Sequence, residues 1–149
     1  MTLSRRNIIR TLAIAGAAAV LPLRLLAAQW NKAAFDAKAV ADAMKYIGAT
    51  DVKESDRIQL KTPEIAENGA IVPIEITSQI AGTQTIYILA EKNPQPLAAS
   101  FDFSDGTEPF LSTRIKMGES SKVRIVVKAD GKFYTIARDV KVTIGGCGG

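Results

Sequence analysis

Among its 149 residues the chain holds one cysteine and no histidine. The cysteine stands in Gly145-Gly146-Cys147-Gly148-Gly149, between two pairs of residues that have no side chain. A thiolate is a nucleophile that makes and breaks S–S bonds reversibly, so an accessible thiol of this kind can hold a covalent adduct and give it up again. Glycine visits both halves of backbone space and shields nothing, so the tail is expected to be flexible and Cys147 open to approach. From Ile144 the three residues to Cys147 extend about 10 Å, enough to enter a narrow cleft in another protein. The chemistry this suggests is that of a covalent carrier thiol on an arm.

The missing residue types narrow the choice further. Without histidine there is no Ser-His-Asp triad, no Cys-His dyad and no ordinary zinc site. One cysteine cannot close an internal disulfide, so in an oxidising compartment it stays free, pairs between chains or carries an adduct. Glu64, Glu67, Asp102 and Asp105 read as turn and solvated carboxylates rather than an acid–base pair. Asn68 reads as a turn former, Met44 has no companions that would make it a metal ligand, and Arg114 fits a solvated strand position as well as a partner contact. No catalytic residue, metal ligand or cofactor is assigned.

An arm needs a root, and the preceding residues supply a regular one. Val140, Val142 and Ile144 alternate with polar residues up to the first glycine, which predicts a strand that fixes where the arm begins. Earlier strands are expected at Arg57 to Lys61, Ala70 to Ser78, Thr85 to Glu91, Ala98 to Phe103, Leu111 to Met117 and Lys122 to Lys128. The last, Lys132 to Ile144, reads either as one strand or as two broken near Arg138-Asp139. Turn signals separate them, with Asp130-Gly131 the clearest hairpin. Pro73 suits an edge or a bulge. Before the strands, Asn31 to Ile47 shows helical spacing at Phe35, Ala39, Val40, Ala43, Met44 and Ile47, with Asn31 as cap and Gly48 as stop. The expected fold is mainly β: an immunoglobulin-like antiparallel β-sandwich with one N-terminal helix and a flexible C-terminal arm.

The first 28 residues differ from the rest. Arg5 and Arg6 precede an apolar, small-residue stretch from Thr11 to Leu23 and then Ala27-Ala28, the outline of a twin-arginine export signal. Of the 19 basic residues four lie in this leader, leaving 15 basic and 15 acidic residues in positions 29–149 and a neutral body. Attraction to nucleic acid is therefore unsupported, and Pro22 and Arg24 oppose stable membrane insertion. The organisation expected is a signal peptide at 1–28, a carrier domain at 29–144 and the arm at 145–149.

Several segments together resemble one family. Val142-Thr143-Ile144-Gly145-Gly146-Cys147-Gly148-Gly149, Pro63-Glu64-Ile65-Ala66-Glu67-Asn68-Gly69 with Val72-Pro73, Asn93-Pro94 with Pro96-Leu97, and Thr113-Arg114-Ile115-Lys116-Met117 are similar to the SoxY family, the carriers of periplasmic thiosulfate oxidation. The leader and the Ala34-Phe35 helix belong to the same pattern. The resemblance implies that Cys147 holds thiosulfate-derived sulfur as a thiosulfonate or persulfide while other proteins act on it. The implied partners are a SoxZ-like subunit in a heterodimer, SoxAX-like heme proteins, a SoxB-like hydrolase and, where a host has one, a SoxCD-like sulfur dehydrogenase. Periplasmic location and no enzymatic activity of its own follow from the same likeness.

Two other classes compete on residue grounds. A secreted structural sandwich dimerising through a Cys147 intermolecular disulfide uses the same thiol differently. Ubiquitin-like sulfur carriers also end in paired glycines, but they need ATP and the cytoplasm, which the leader opposes. Prenylation fails because the cysteine is third from the end rather than fourth.

Overall fold

The computed structural model describes residues 31–143. Asn31 opens the first helix, α1 (Lys32–Asp36), its side-chain oxygen accepting the Ala34 N–H at 3.1 Å. The backbone then turns extended at Ala37 and Ala39 before α2 (Val40–Tyr46). The single helix expected from Asn31 to Ile47 is thus two short ones, and Ala39 is exposed rather than part of the apolar stripe. Ala43 and Ile47 of that stripe are buried as expected, together with Ala34 and Ala37, mostly small side chains that let both pieces lie close to the sheet beneath. Gly48, at φ +81°, ends α2 as expected: its N–H bonds to the Lys45 carbonyl, and the Ala49 N–H to that of Met44. A bond from the Asn31 side-chain amide to the Tyr46 carbonyl, 2.8 Å, ties the start of α1 to the end of α2.

Among the described residues nine strands follow: β1 (Val52–Glu54), β2 (Ile58–Lys61), β3 (Ile65–Ala66), β4 (Val72–Ser78), β5 (Thr83–Ala90), β6 (Leu97–Asp102), β7 (Phe110–Ile115), β8 (Ser121–Ala129) and β9 (Lys132–Val142). They form a large sheet in the order β1-β9-β8-β5-β6, with β3 also paired to β9, and a small sheet β2-β4-β7. The molecule is mainly β, as expected, and β9 is one long strand rather than two. Two corrections apply to the purely antiparallel picture. β1 and β3 were not foreseen, and both pair parallel to β9, at Phe133 to Thr135 and at Lys141-Val142.

Residue alternation explains the layers. In β4, Val72, Ile74 and Ile76 are fully buried while Pro73, Glu75 and Thr77 turn outward, and these inward residues meet Ile86, Ile88, Val123, Ile125 and Val127 of the large sheet. β8 also buries Val126, which points the other way. Together with Leu89, Leu97 and Phe133 it is covered by the alanines of the helices, so the large sheet is packed on both faces. Pro73 lies in the middle strand of the small sheet, but past the last pairing with β2, Lys61↔Glu75, so β4 has a neighbour on only one side there. Asp130 and Gly131, at φ +47° and +72°, make the expected two-residue hairpin between β8 and β9.

Candidate carrier site

The structure describes in detail the end of β9, the segment expected to lead into the arm. β9 loses β8 after Ser121↔Val140 and runs on. Ser120 replaces the missing strand with its side chain: the Val142 N–H donates to Ser120 Oγ at 2.9 Å, and the Ser120 hydroxyl lies 3.4 Å from the Val142 carbonyl oxygen. On the other edge, the Lys141 N–H donates to the Glu64 carbonyl at 2.8 Å and the Thr143 N–H to the Ala66 carbonyl at 3.1 Å. Thr143 Oγ1 is 3.4 Å from the Glu67 carbonyl. Lys141 to Thr143 are therefore held from both sides.

Further loops brace this collar. The Met117 N–H donates to the Gly69 carbonyl at 2.7 Å. A Cβ on Gly69 would stand 2.5 Å from the Met117 carbonyl oxygen and 2.8 Å from Val142 Cγ1, so close approach of the backbone requires glycine here. Asn93 bridges the next loop, donating to the Lys116 carbonyl at 2.7 Å and accepting the Gly118 N–H at 3.0 Å. Asn68 is the turn former expected, accepting the Ala70 N–H at 2.9 Å on its side chain.

Segments far apart in sequence thus meet at one place: the Glu64 to Gly69 run, Asn93, Lys116-Met117 and Val142-Thr143. Ser120 was not foreseen, because a single serine in a loop carries no pattern, and its role appears only once β9 outruns β8. Met44 is half-buried on α2 against the helix–sheet cluster, Arg114 is exposed on β7, Asp105 is exposed, and Asp102, away from the end of β9, accepts the Thr85 hydroxyl at 2.9 Å. Cys147, Gly145, Gly146, Gly148 and Gly149, and Arg5 and Arg6 of the leader, lie outside the described residues.

Among the described residues, no three potential metal ligands gather. At Tyr87, burial pushes the phenol above its ordinary value, the Thr85 side chain pulls it down and the Asp102 charge pushes it up. No helix among the described residues is long and apolar enough to cross a membrane.

The described residues thus form a two-sheet scaffold in which Lys141 to Thr143, at the end of β9, are hydrogen-bonded on both edges. The comparisons name its family. The family model "Sulfur oxidation protein SoxY" matches residues 43–147. The solved sulfur carrier protein SoxY from Chlorobium limicola f. thiosulfatophilum is 41% identical, with a TM-score of 0.64, over 70% of this chain and 96% of that one. A superoxide reductase (neelaredoxin) from Ignicoccus hospitalis aligns at 12% identity and a TM-score of 0.48, over 58% and 80% of the two chains. The curated proteins contain no match. The chain belongs to the SoxY family.

Proposed function

We propose that this chain is a sulfur carrier in which Cys147 covalently holds thiosulfate-derived sulfur and presents it to enzymes that do the chemistry. The observation carrying this is that the family match runs through to residue 147, taking in the thiol, while the similar solved protein is a sulfur carrier. The clamped root at Lys141 to Thr143 supports it, because an arm works best from a fixed origin.

In the loading step the Cys147 thiolate and thiosulfate join through a new S–S bond, giving the cysteine S-thiosulfonate and two electrons, which pass to a heme protein of the SoxAX kind. Water then attacks the terminal sulfonate sulfur on a SoxB-like hydrolase, releasing sulfate and two protons and leaving a cysteine persulfide. A SoxCD-like dehydrogenase, in hosts that have one, oxidises that persulfide sulfur further. The chain itself contributes the thiol, the reach and the fixed root; Gly145, Gly146, Gly148 and Gly149 keep the arm narrow enough to enter partner clefts.

Residues 1–28 act as a twin-arginine signal read at Arg5 and Arg6, 29–144 as the carrier domain and 145–149 as the arm. Folded export then delivers the carrier, paired with a SoxZ-like subunit, to the periplasm. Intact mass spectrometry of protein from thiosulfate-grown cells tests the carrier role. A reducible mass gain of added sulfur, with or without a sulfonate, is expected, and it disappears in Cys147→Ser. A gain that persists in that variant, or a covalent dimer with no adduct, overturns the assignment.

A further inference from the structure

We infer that the segment Glu64 to Ile71, with the cleft beside it, is the surface on which an arm-receiving enzyme seats the rim of its active site. This rests on the carrier role of Cys147.

Reach is the first argument. Four residues carry the chain from Thr143 to Cys147, at most about 14 Å fully extended. An enzyme that acts on the sulfur must bring its reacting centre within that distance of Thr143. Its rim then lies against whatever flanks the root, and the flank on the β3 side is the Glu64 to Ile71 segment, bonded to Lys141 and Thr143.

That segment has the character of a contact surface. Four large apolar side chains are exposed among the described residues, and two of them, Ile65 at 58% and Ile71 at 54%, fall within these eight positions. Ile65 also walls a cleft of about 640 Å³ between β2 and the edge of β9. This edge is open because β1 leaves β9 at Thr135 and β3 joins it only at Lys141. Across the cleft, Arg138 spends its Nε on the Leu60 carbonyl at 3.1 Å. Thr62 Oγ1 is buried with no protein partner. Lys141 is exposed on the same wall. Lys61, Glu64 and Asp139 line the cleft too, but Lys61 is paired with Glu75 and Asp139 with Lys122, which leaves Arg138 and Lys141 set against Glu64 alone. The partner this fits presents an apolar side chain over Ile65 and a carboxylate facing Lys141 and Arg138. Desolvating exposed isoleucines at the centre of such a contact makes them sensitive positions, while the rim charge acts on encounter.

The test uses the full-length carrier and the host's purified enzyme that joins thiosulfate to the carrier thiol, with KM for the carrier and kcat read separately. Ile65→Ser and Ile71→Ser should each raise KM about tenfold with kcat at saturation unchanged, and Lys141→Gln should raise it about threefold, more at low salt than at high salt. Reaction of Cys147 with a small disulfide reagent and the thermal midpoint should match wild type, which separates docking from arm or fold damage. KM within twofold of wild type in both isoleucine variants overturns the inference. Wild-type protein that the enzyme does not load at all overturns the carrier reading instead. A wild-type homodimer that Ile65→Ser dissociates overturns the inference too, by assigning the surface to a second copy of this chain.

Discussion

Gly69 and Ser120 hold the end of β9 by different means, and single substitutions separate them. At Gly69 the limit is space: a methyl group meets the Met117 carbonyl oxygen at 2.5 Å and Val142 Cγ1 at 2.8 Å, and the first of these is backbone. Gly69→Ala must push the loop or the strand aside, at about 1–3 kcal/mol, the range of overpacking a filled site. At Ser120 the limit is polar satisfaction. Ser120→Ala removes the acceptor of the Val142 N–H, but this bond is exposed, so water replaces it and the loss is about 0.5–1.5 kcal/mol at most. Urea denaturation should show a clear fall in midpoint for Gly69→Ala and a small one for Ser120→Ala. Amide exchange at Val142 should nonetheless quicken in Ser120→Ala, since the local bond opens without global unfolding. Equal midpoint losses, or unchanged exchange at Val142, contradict this division of labour.

At the scale of elements, legibility followed the range of the signal. The seven longer strands could be read because apolar residues recur at alternate positions in most of them and turn signals such as Asp130-Gly131 and Asn68-Gly69 separate them. β1 and β3 could not, because three- and two-residue strands show no period and exist only through parallel pairing with β9, some 80 residues further on. The helix break failed for a related reason: Ala37 to Ala39 have good local helix propensity, and the sheet's demand for Ala34, Ala37 and Ala43 at close range overrides it. Of the candidate site, Cys147 and its glycines were evident as residues, whereas the clamp formed by Ser120 and Asn93 needed the fold. The β5–β6 pair carries its own test. Tyr87, beside Thr85 and Asp102, has its pKa raised above the ordinary value of 10.0 mainly by burial. A raised folded pKa gives stability that is complete below the unfolded value and is lost as pH rises through the folded one, because the unfolded chain ionises first. Tyr87→Phe should therefore lose less stability than wild type between about pH 9 and pH 11, read from urea midpoints at each pH. A difference between the two proteins that stays constant across that range contradicts the account.

For the whole molecule, the neutral body and the absence of histidine combine into a clean background for the thiol. Positions 29–149 carry equal numbers of acidic and basic side chains, so no large net field acts on an approaching anion such as thiosulfate. No histidine is present to change charge between about pH 5.5 and 8, the window in which that side chain normally acts as a switch. Stability should accordingly be flat there. Any pH dependence in the reaction of the protein with a small alkylating reagent then belongs to Cys147, the single thiol of the chain. The rate of alkylation should rise along one single-proton titration, with the thermal midpoint unchanged across the neutral range. It should also keep the same shape in Ile65→Ser, because the docking surface acts on partners and not on the thiolate. A two-step or bell-shaped profile would mean that a second titrating group of the body reaches Cys147, and the picture of a thiol presented beyond a passive scaffold would have to give way to one in which the scaffold activates it.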